Sequence, residues 1–319
     1  MKPNSIIAVF ISLFSCCALA PFALAQVTIA ANGKSTFTIS VPADAPSSVQ
    51  NAAAELQKDI QSATGVKLVV QKDSVEVATP FISVGNTAQA KSAGISSANL
   101  EDEAFRIVTK SGNVYILGID TPNGGWTKNN GVSDGTANGV YTFLEDYLDV
   151  RWLMPGDLGR DVPAKSTFTI GDIDRTVTPQ FSWRRVTHLW DYSNAMQLRS
   201  IMQWDDHQKL GGATQLDYDH NWWRAVNDNK GNDVNTPAVK ALYAAHPDWF
   251  AMDASGKRPY PESHYSKFET TNQELVHWFA EKAIAALKAS DRPRTFSLSP
   301  SDGGGRWSKS PESVALYDP

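Results

Sequence analysis

Cysteine is almost missing from this 319-residue chain: there are two, Cys16 and Cys17, side by side within the first 25 residues. That segment reads as an export signal. Met1-Lys2 supplies positive charge, residues 6–14 are an apolar stretch, and Ala23-Leu24-Ala25 before Gln26 is an A-x-A cleavage site. Cleavage after Ala25 leaves a mature chain with no thiol, which excludes disulfide staples, zinc–thiolate sites and cysteine nucleophiles together. The rival cut, before Cys16, would make a lipid-anchored protein; the bulky Phe14 fits a lipoprotein box poorly. Either way an exported protein is expected, periplasmic or extracellular. No Lys/Arg run exceeds two residues, and 29 Lys+Arg against 34 Asp+Glu leave a net charge of −5. No nucleic-acid or anionic-surface partner is therefore expected. No later apolar run approaches the ~18 residues of a membrane span. The glycines at 303–305 lack a following Gly-Lys-Ser/Thr, which argues against a phosphate loop. Asp205-Asp206-His207 and Asp217-Tyr218-Asp219-His220 fit no named metal spacing, so neither metal nor cofactor is expected.

What is present divides into two halves. Residues 26–177 alternate strand and helix signals. Residues 27–30 and 36–41 are rich in β-branched side chains, and 66–70 and 81–84 are short apolar runs. Residues 105–109 and 114–119 flank Lys110-Ser111-Gly112-Asn113, a hairpin signal. Ser47 with Gln50 forms a capping box for a helix whose apolar stripe runs from Val49 through Leu56 to Ala63, with Gly65 placed to end it. A second helix carries Val140, Phe143, Leu144 and Leu148 on one stripe. The expectation is an α+β domain, a mixed sheet with helices on one face. It holds no His and only Trp126 and Trp152 of the ten Trp; it reads as scaffold.

From residue 178 the composition changes. All six His and the other eight Trp fall in this half. Residues 181–189 read as a strand. Thr271 with Glu274 caps a helix buried through Val276, Phe279 and Ala283. Residues 295–299 read as a strand emptying into Pro300-Ser301-Asp302-Gly303. Helix, strand and polar Gly loop is the unit of a (β/α) barrel, in which sites lie in the loops after strands. The fold class expected is thus α/β: the small α+β domain, then an incomplete (β/α) TIM-barrel-like domain over 178–319. A full barrel takes about 250 residues, so further strands and catalytic carboxylates are expected beyond Pro319.

Several stretches carry a resemblance. Ala52-Ala53-Ala54-Glu55-Leu56-Gln57, Phe81-Ile82-Ser83-Val84-Gly85, the run from Asn138 to Glu145, and Arg151-Trp152-Leu153-Met154-Pro155-Gly156 resemble the N-terminal domain shared by α-glucuronidases and hexosaminidases. Pro179-Gln180-Phe181-Ser182-Trp183-Arg184 is similar to the first barrel strand of those enzymes. His246-Pro247-Asp248-Trp249-Phe250-Ala251, Gly256-Lys257-Arg258 and the run from Ser297 to Gly304 resemble a secreted bacterial family, domain of unknown function 4838. That family's Cys pair after Asp-Gly-Gly is absent here; Arg306-Trp307-Ser308-Lys309-Ser310 stands in its place. The resemblance implies a glycoside hydrolase-like protein, or the N-terminal fragment of one, acting on an extracellular polysaccharide. The alternative is a non-catalytic glycan-binding or cell-envelope protein.

Candidate site residues follow, each with a structural alternative. By the resemblance Arg184 would bind sugar hydroxyls or a carboxylate, for which a guanidinium fork suits; otherwise it is an ion-pair residue. Asp302 is the candidate catalytic acid or base, since glycoside hydrolysis needs two carboxyl groups; Ser-Asp-Gly is also ordinary turn chemistry. His220 with Trp222, and Trp190 at the end of the first expected barrel strand, are candidate substrate contacts, imidazole for hydroxyls and indole for C–H faces. Core packing is the other fate of a Trp.

Overall fold

A computed structural model describes residues 26–186, 195–217, 220, 222–228, 230–290, 295–303 and 307–316. The export signal and Trp190 lie outside the described residues.

Six strands make the main sheet: β2 (Thr38–Val41), β3 (Val69–Lys72), β4 (Phe81–Val84), β5 (Phe105–Lys110), β6 (Asn113–Gly118) and β10 (Asp174–Val177), in the order β10-β5-β6-β4-β2-β3. The sheet is mixed: β10, β5 and β6 are antiparallel neighbours, and β6, β4, β2 and β3 run parallel. Its register follows from alternation. Ile107, Val114, Ile116 and Ile82 point to one face, and Val108, Tyr115, Leu117 and Phe81 to the other. The first face is covered by two helices, α1 (Ser47–Thr64) and α3 (Gly135–Tyr147), through Leu56, Ile60, Val140 and Phe143. Full burial of each such side chain contributes about 1.5–3 kcal/mol. The long helices thus lie on one face as expected, and the other face is closed by the short α2 (Ala88–Ser92) through Ala90 and by Ile95. Two small pairs complete this half: β1 (Val27–Ala31) with β9 (Thr167–Ile170), and β7 (Arg151–Trp152) with β8 (Arg160–Asp161).

Helix ends differ in detail from the sequence reading. α1 is capped at Pro46, which has neither a polar side chain nor an N–H, so no capping box forms and the Gln50 amide donates to the Ala45 carbonyl instead. Gly65 ends it in the left-handed region, φ 75°.

After Val177 no strand of two or more residues occurs among the described residues, and no barrel closes. The expected strand at 181–189 is represented by a single bridge, Arg184 to Gly211, and that at 295–299 by one between His220 and Ser299. Helices dominate instead: α4 (Ala195–His207), α5 (Trp222–Val226), α6 (Pro237–Ala245), α7 (Gln273–Lys288) and α8 (Pro311–Val314). α7 starts one residue later than expected, since Asn272 rather than Thr271 accepts from the Glu274 and Leu275 N–H groups. A second core gathers around Trp222, Trp223, Phe250, Phe268, Leu275 and Phe279.

The halves meet tightly. A Cβ on Gly131 would lie 2.2 Å from the Gly212 carbonyl oxygen, so only glycine lets these backbones approach.

Candidate functional site

His220 and Asp302 are 82 positions apart in sequence and come together because His220 bridges to Ser299 and holds the loop that follows. His220 Nδ1 lies 2.7 Å from the Pro300 carbonyl oxygen. A carbonyl only accepts, so Nδ1 carries the proton, and Nε2 is left facing Asp302 Oδ1 at 4.0 Å. That is too long for a direct hydrogen bond and wide enough for a bridging hydroxyl. Both side chains stay open to solvent, 51% and 71% exposed. Asp302 Oδ1 also accepts the Gly303 N–H at 2.7 Å, which is turn chemistry.

The loop is pinned from below by Lys267, which is 2% exposed. Its ammonium donates to the carbonyl oxygens of Ser301 and of Asp302, the latter at 2.9 Å, and sits 5.2 Å from the centroid of the Trp307 ring. Burial pulls the Lys267 pKa down, with the Asp302 charge opposing. Nearby Glu269 is also buried. Burial alone would raise its pKa, but hydroxyls of Ser308, Ser313, Thr271 and Ser310 outweigh that and bring it down to about 2. Ser308 and Ser313 each donate to it at 2.5 Å and Arg258 at 3.1 Å. Glu269 is thus an ionised knot joining four segments, with its lone pairs committed.

Beside this knot opens a cleft of about 410 Å³, walled by Phe250, Tyr260, Pro261 and Trp307, with Lys267 at its floor and Glu262 on its rim. Aromatic walls of this kind can hold a ligand with apolar faces; neither His220 nor Asp302 lines the cleft, which is linked to their loop through Lys267.

The other two described candidates, Trp222 and Arg184, are engaged within the structure. Trp222 is buried at 7%, donates to the Leu298 carbonyl at 2.8 Å and packs on Phe268, so it presents no face to a surface ligand. Arg184 is a clamp between the halves. It pairs with the buried Glu103 at 2.5 Å and donates to the carbonyls of Lys209 and Phe181. His220, Asp302 and Trp222 are therefore brought to one locus, while Arg184 is engaged at another.

Sequence reading misses Lys267 and Glu269, which sit in a segment without a motif; only their neighbourhood in space marks them. It also passes over Gly131-Val132-Ser133-Asp134-Gly135, which spells the Gly-x-Ser-x-Gly of a hydrolase nucleophile elbow. The geometry disposes of that role: the Ser133 hydroxyl is buried, donates to the Ile119 carbonyl at 2.6 Å and accepts the Glu103 N–H at 2.5 Å.

Residues 154–312 match the family model of a domain of unknown function, DUF4838. The DUF4838 match begins inside the first half, before β8 to β10 return to the sheets built by the preceding residues. No curated protein matches the chain. Among solved structures it is similar to a family GH115 4-O-methyl-α-glucuronidase with specificity for decorated arabinogalactans, at 14% identity and a TM-score of 0.39 over 85% of this chain and 37% of that one. It is similar to a β-hexosaminidase of Streptomyces plicatus at 14% identity and a TM-score of 0.30, covering 50% of this chain and 25% of that one. A chitobiase of Flavobacterium johnsoniae gives 18% identity and a TM-score of 0.27, over 50% and 19%. The chain thus spans 37% or less of the length of each of these.

Proposed function

We propose that this is an exported carbohydrate-active protein of glycoside hydrolase type, with its sugar-contacting surface at the His220–Asp302 pair and the Trp307 cleft. The observation that carries the reading is the exposed Asp302 carboxylate facing His220 Nε2 at 4.0 Å, on a loop that Lys267 ties to an aromatic-walled cleft. A sugar hydroxyl fits between the two groups, donating its single proton either to the Asp302 carboxylate or to the unprotonated His220 Nε2. Trp307 and Tyr260 offer the flat apolar surface that a pyranose ring covers. In hydrolysis Asp302 serves either as the acid that protonates the glycosidic oxygen or as the base that activates the attacking water, and a second carboxylate takes the other role. Glu262, which lines the cleft, is the candidate for that partner. Glu269 is not, because its lone pairs are already taken by three hydroxyls and Arg258. The export signal supports an extracellular polysaccharide as the substrate class, and residues 26–177 serve as the scaffold domain.

The second reading, glycan binding without turnover, is favoured by Lys267: it locks the Asp302 backbone in place, which suits a fixed binding edge as well as a catalytic loop. Hydrolysis of a polysaccharide panel by the full chain separates the two. Asp302→Asn is expected to lower kcat at least about 100-fold while glycan affinity persists. Trp307→Ala is expected to weaken binding about tenfold or more. Binding without turnover in the unmodified protein leaves only the second reading; no binding at all defeats both.

A further inference from the structure

A second concavity runs along the seam between α1, α3 and α4, remote in sequence from the pair described above. Its two lobes, of about 280 and 260 Å³, share Asn51, Tyr141 and Asp206 and so form one groove. Together they reach the ~300–1,000 Å³ typical of small-molecule sites, which favour domain seams. One wall is an aromatic stack: the His207 imidazole lies parallel to the Trp152 indole at 4.3 Å, and Tyr141 meets both edge-on at 5.0 and 5.8 Å.

Some polar groups of the groove are paired, among them Glu103 with Arg184 and Arg160 with Glu55; others are not. The Trp152 Nε1–H is buried with no hydrogen-bond partner, in a residue only 5% exposed. Tyr141 is 6% exposed, and its hydroxyl has no partner among the described residues. An orphaned buried donor costs about 1–3 kcal/mol in other proteins, so such groups are rarely left without a use. The Asp206 carboxylate reaches into both lobes and has neither hydrogen bond nor cation partner among the described residues. Desolvation, then the Asp134 and Asp205 charges, lift its pKa to about 6. Desolvation, with Lys58, Arg160 and Lys209, lowers that of His207 to about 4, so the imidazole is neutral near pH 7 and offers one donor and one acceptor.

An anion would need donors alone, and a cation acceptors alone. Here the open groups are mixed: carboxylate as acceptor, phenol and neutral imidazole as both donor and acceptor. Hydroxyl groups, each donating and accepting, are the matching chemistry, and the aromatic wall suits the C–H face of a ring. We infer that this groove is a second saccharide site, for a neutral mono- or disaccharide unit, carried by the seam and independent of the His220–Asp302 locus.

The test is titration calorimetry of the full chain with cellobiose, maltose, xylobiose and N,N′-diacetylchitobiose, with glucuronate and spermidine as anionic and cationic probes. At least one neutral disaccharide is expected to bind in the micromolar to millimolar range. Tyr141→Phe, which removes one oxygen and keeps the ring, and Asp206→Asn, which keeps the shape, are each expected to weaken it about tenfold. Trp307→Ala and Asp302→Asn are expected to leave that affinity unchanged. The inference is overturned if natively folded protein, by near-ultraviolet circular dichroism, binds no neutral disaccharide at millimolar concentration. It is equally overturned if Tyr141→Phe and Asp206→Asn bind as the parent does, or if spermidine or glucuronate binds more tightly than every sugar. Loss of all sugar binding in Trp307→Ala, with none in Tyr141→Phe, would refute the groove and spare the proposed function.

Discussion

The two halves of the chain solve the same problem by different means. Buried carbonyl and amide groups must find partners. In the first half they find one another along strand ladders, and side chains are left free to be apolar; the core of Ile39, Ile82, Ile107 and Ile116 needs no polar handle. In the second half the described residues form no ladder beyond single bridges, and side chains do the work of the missing neighbours. Trp222 serves the Leu298 carbonyl, Trp223 that of His264, Tyr243 that of Arg258, Tyr260 that of Val234, and Arg258 that of Phe250. Each is a large apolar body with a donor at its tip, the kind of group that can enter a core and still satisfy a loop. The Trp-rich composition of this half is thereby given a structural cause. A dense aromatic content is not in itself a sign of ligand binding.

This contrast can be broken most sharply at Glu269. Glu269→Gln leaves Arg258 without its counter-charge and weakens three hydroxyl contacts, and is expected to cost about 3–5 kcal/mol in denaturant unfolding followed by Trp fluorescence. The sign in pH follows from the lowered pKa. The Glu269 contribution is complete above the unfolded-state value of about 4.5 and is lost as pH falls toward about 2. The parent should therefore lose stability relative to Glu269→Gln across that window. A smaller effect is expected from Tyr260→Phe, which removes only the donor to Val234: about 1 kcal/mol, read in the same way. An equal loss from deleting a polar tip in the sheet half would blur the distinction. The smallest effect tests that side. Arg106 bonds Asp174 across β5 and β10 through contacts of 2.8–3.0 Å, but Asp174 is 64% exposed. Arg106→Ala is expected to cost about 0.2–1 kcal/mol, and less in high salt.

The same contrast explains what the sequence made legible. The hairpin signal between residues 105–109 and 114–119, a helical stripe from Val49 to Ala63 and a glycine at 65 are local signals, and the structure places strands and a helix there. β10, Asp-Arg-Thr-Val, carries no apolar alternation, and nothing local announces that it completes the sheet edge beside β5. In the second half the residues at 295–299 have strand-like composition, yet no neighbouring strand pairs with them; their groups go to Trp222, Asp217 and His220. The meeting of His220 with Asp302 depends on contacts across some eighty residues, which no spacing rule encodes. Composition drew attention to these positions. Only the tertiary arrangement separates Trp222, spent in the core, from Trp307, which reaches the cleft.

The Arg184 clamp has a practical consequence for dissecting the molecule. Glu103, only 3% exposed, receives from beyond Val177 both the Arg184 guanidinium and the Ala213 N–H. A clone stopped where the sheet ends, at residue 177, would express a stump with an uncompensated carboxylate beneath its surface. Trimming experiments meant to isolate that portion should extend to about Thr214, or replace Glu103 by glutamine at the same time.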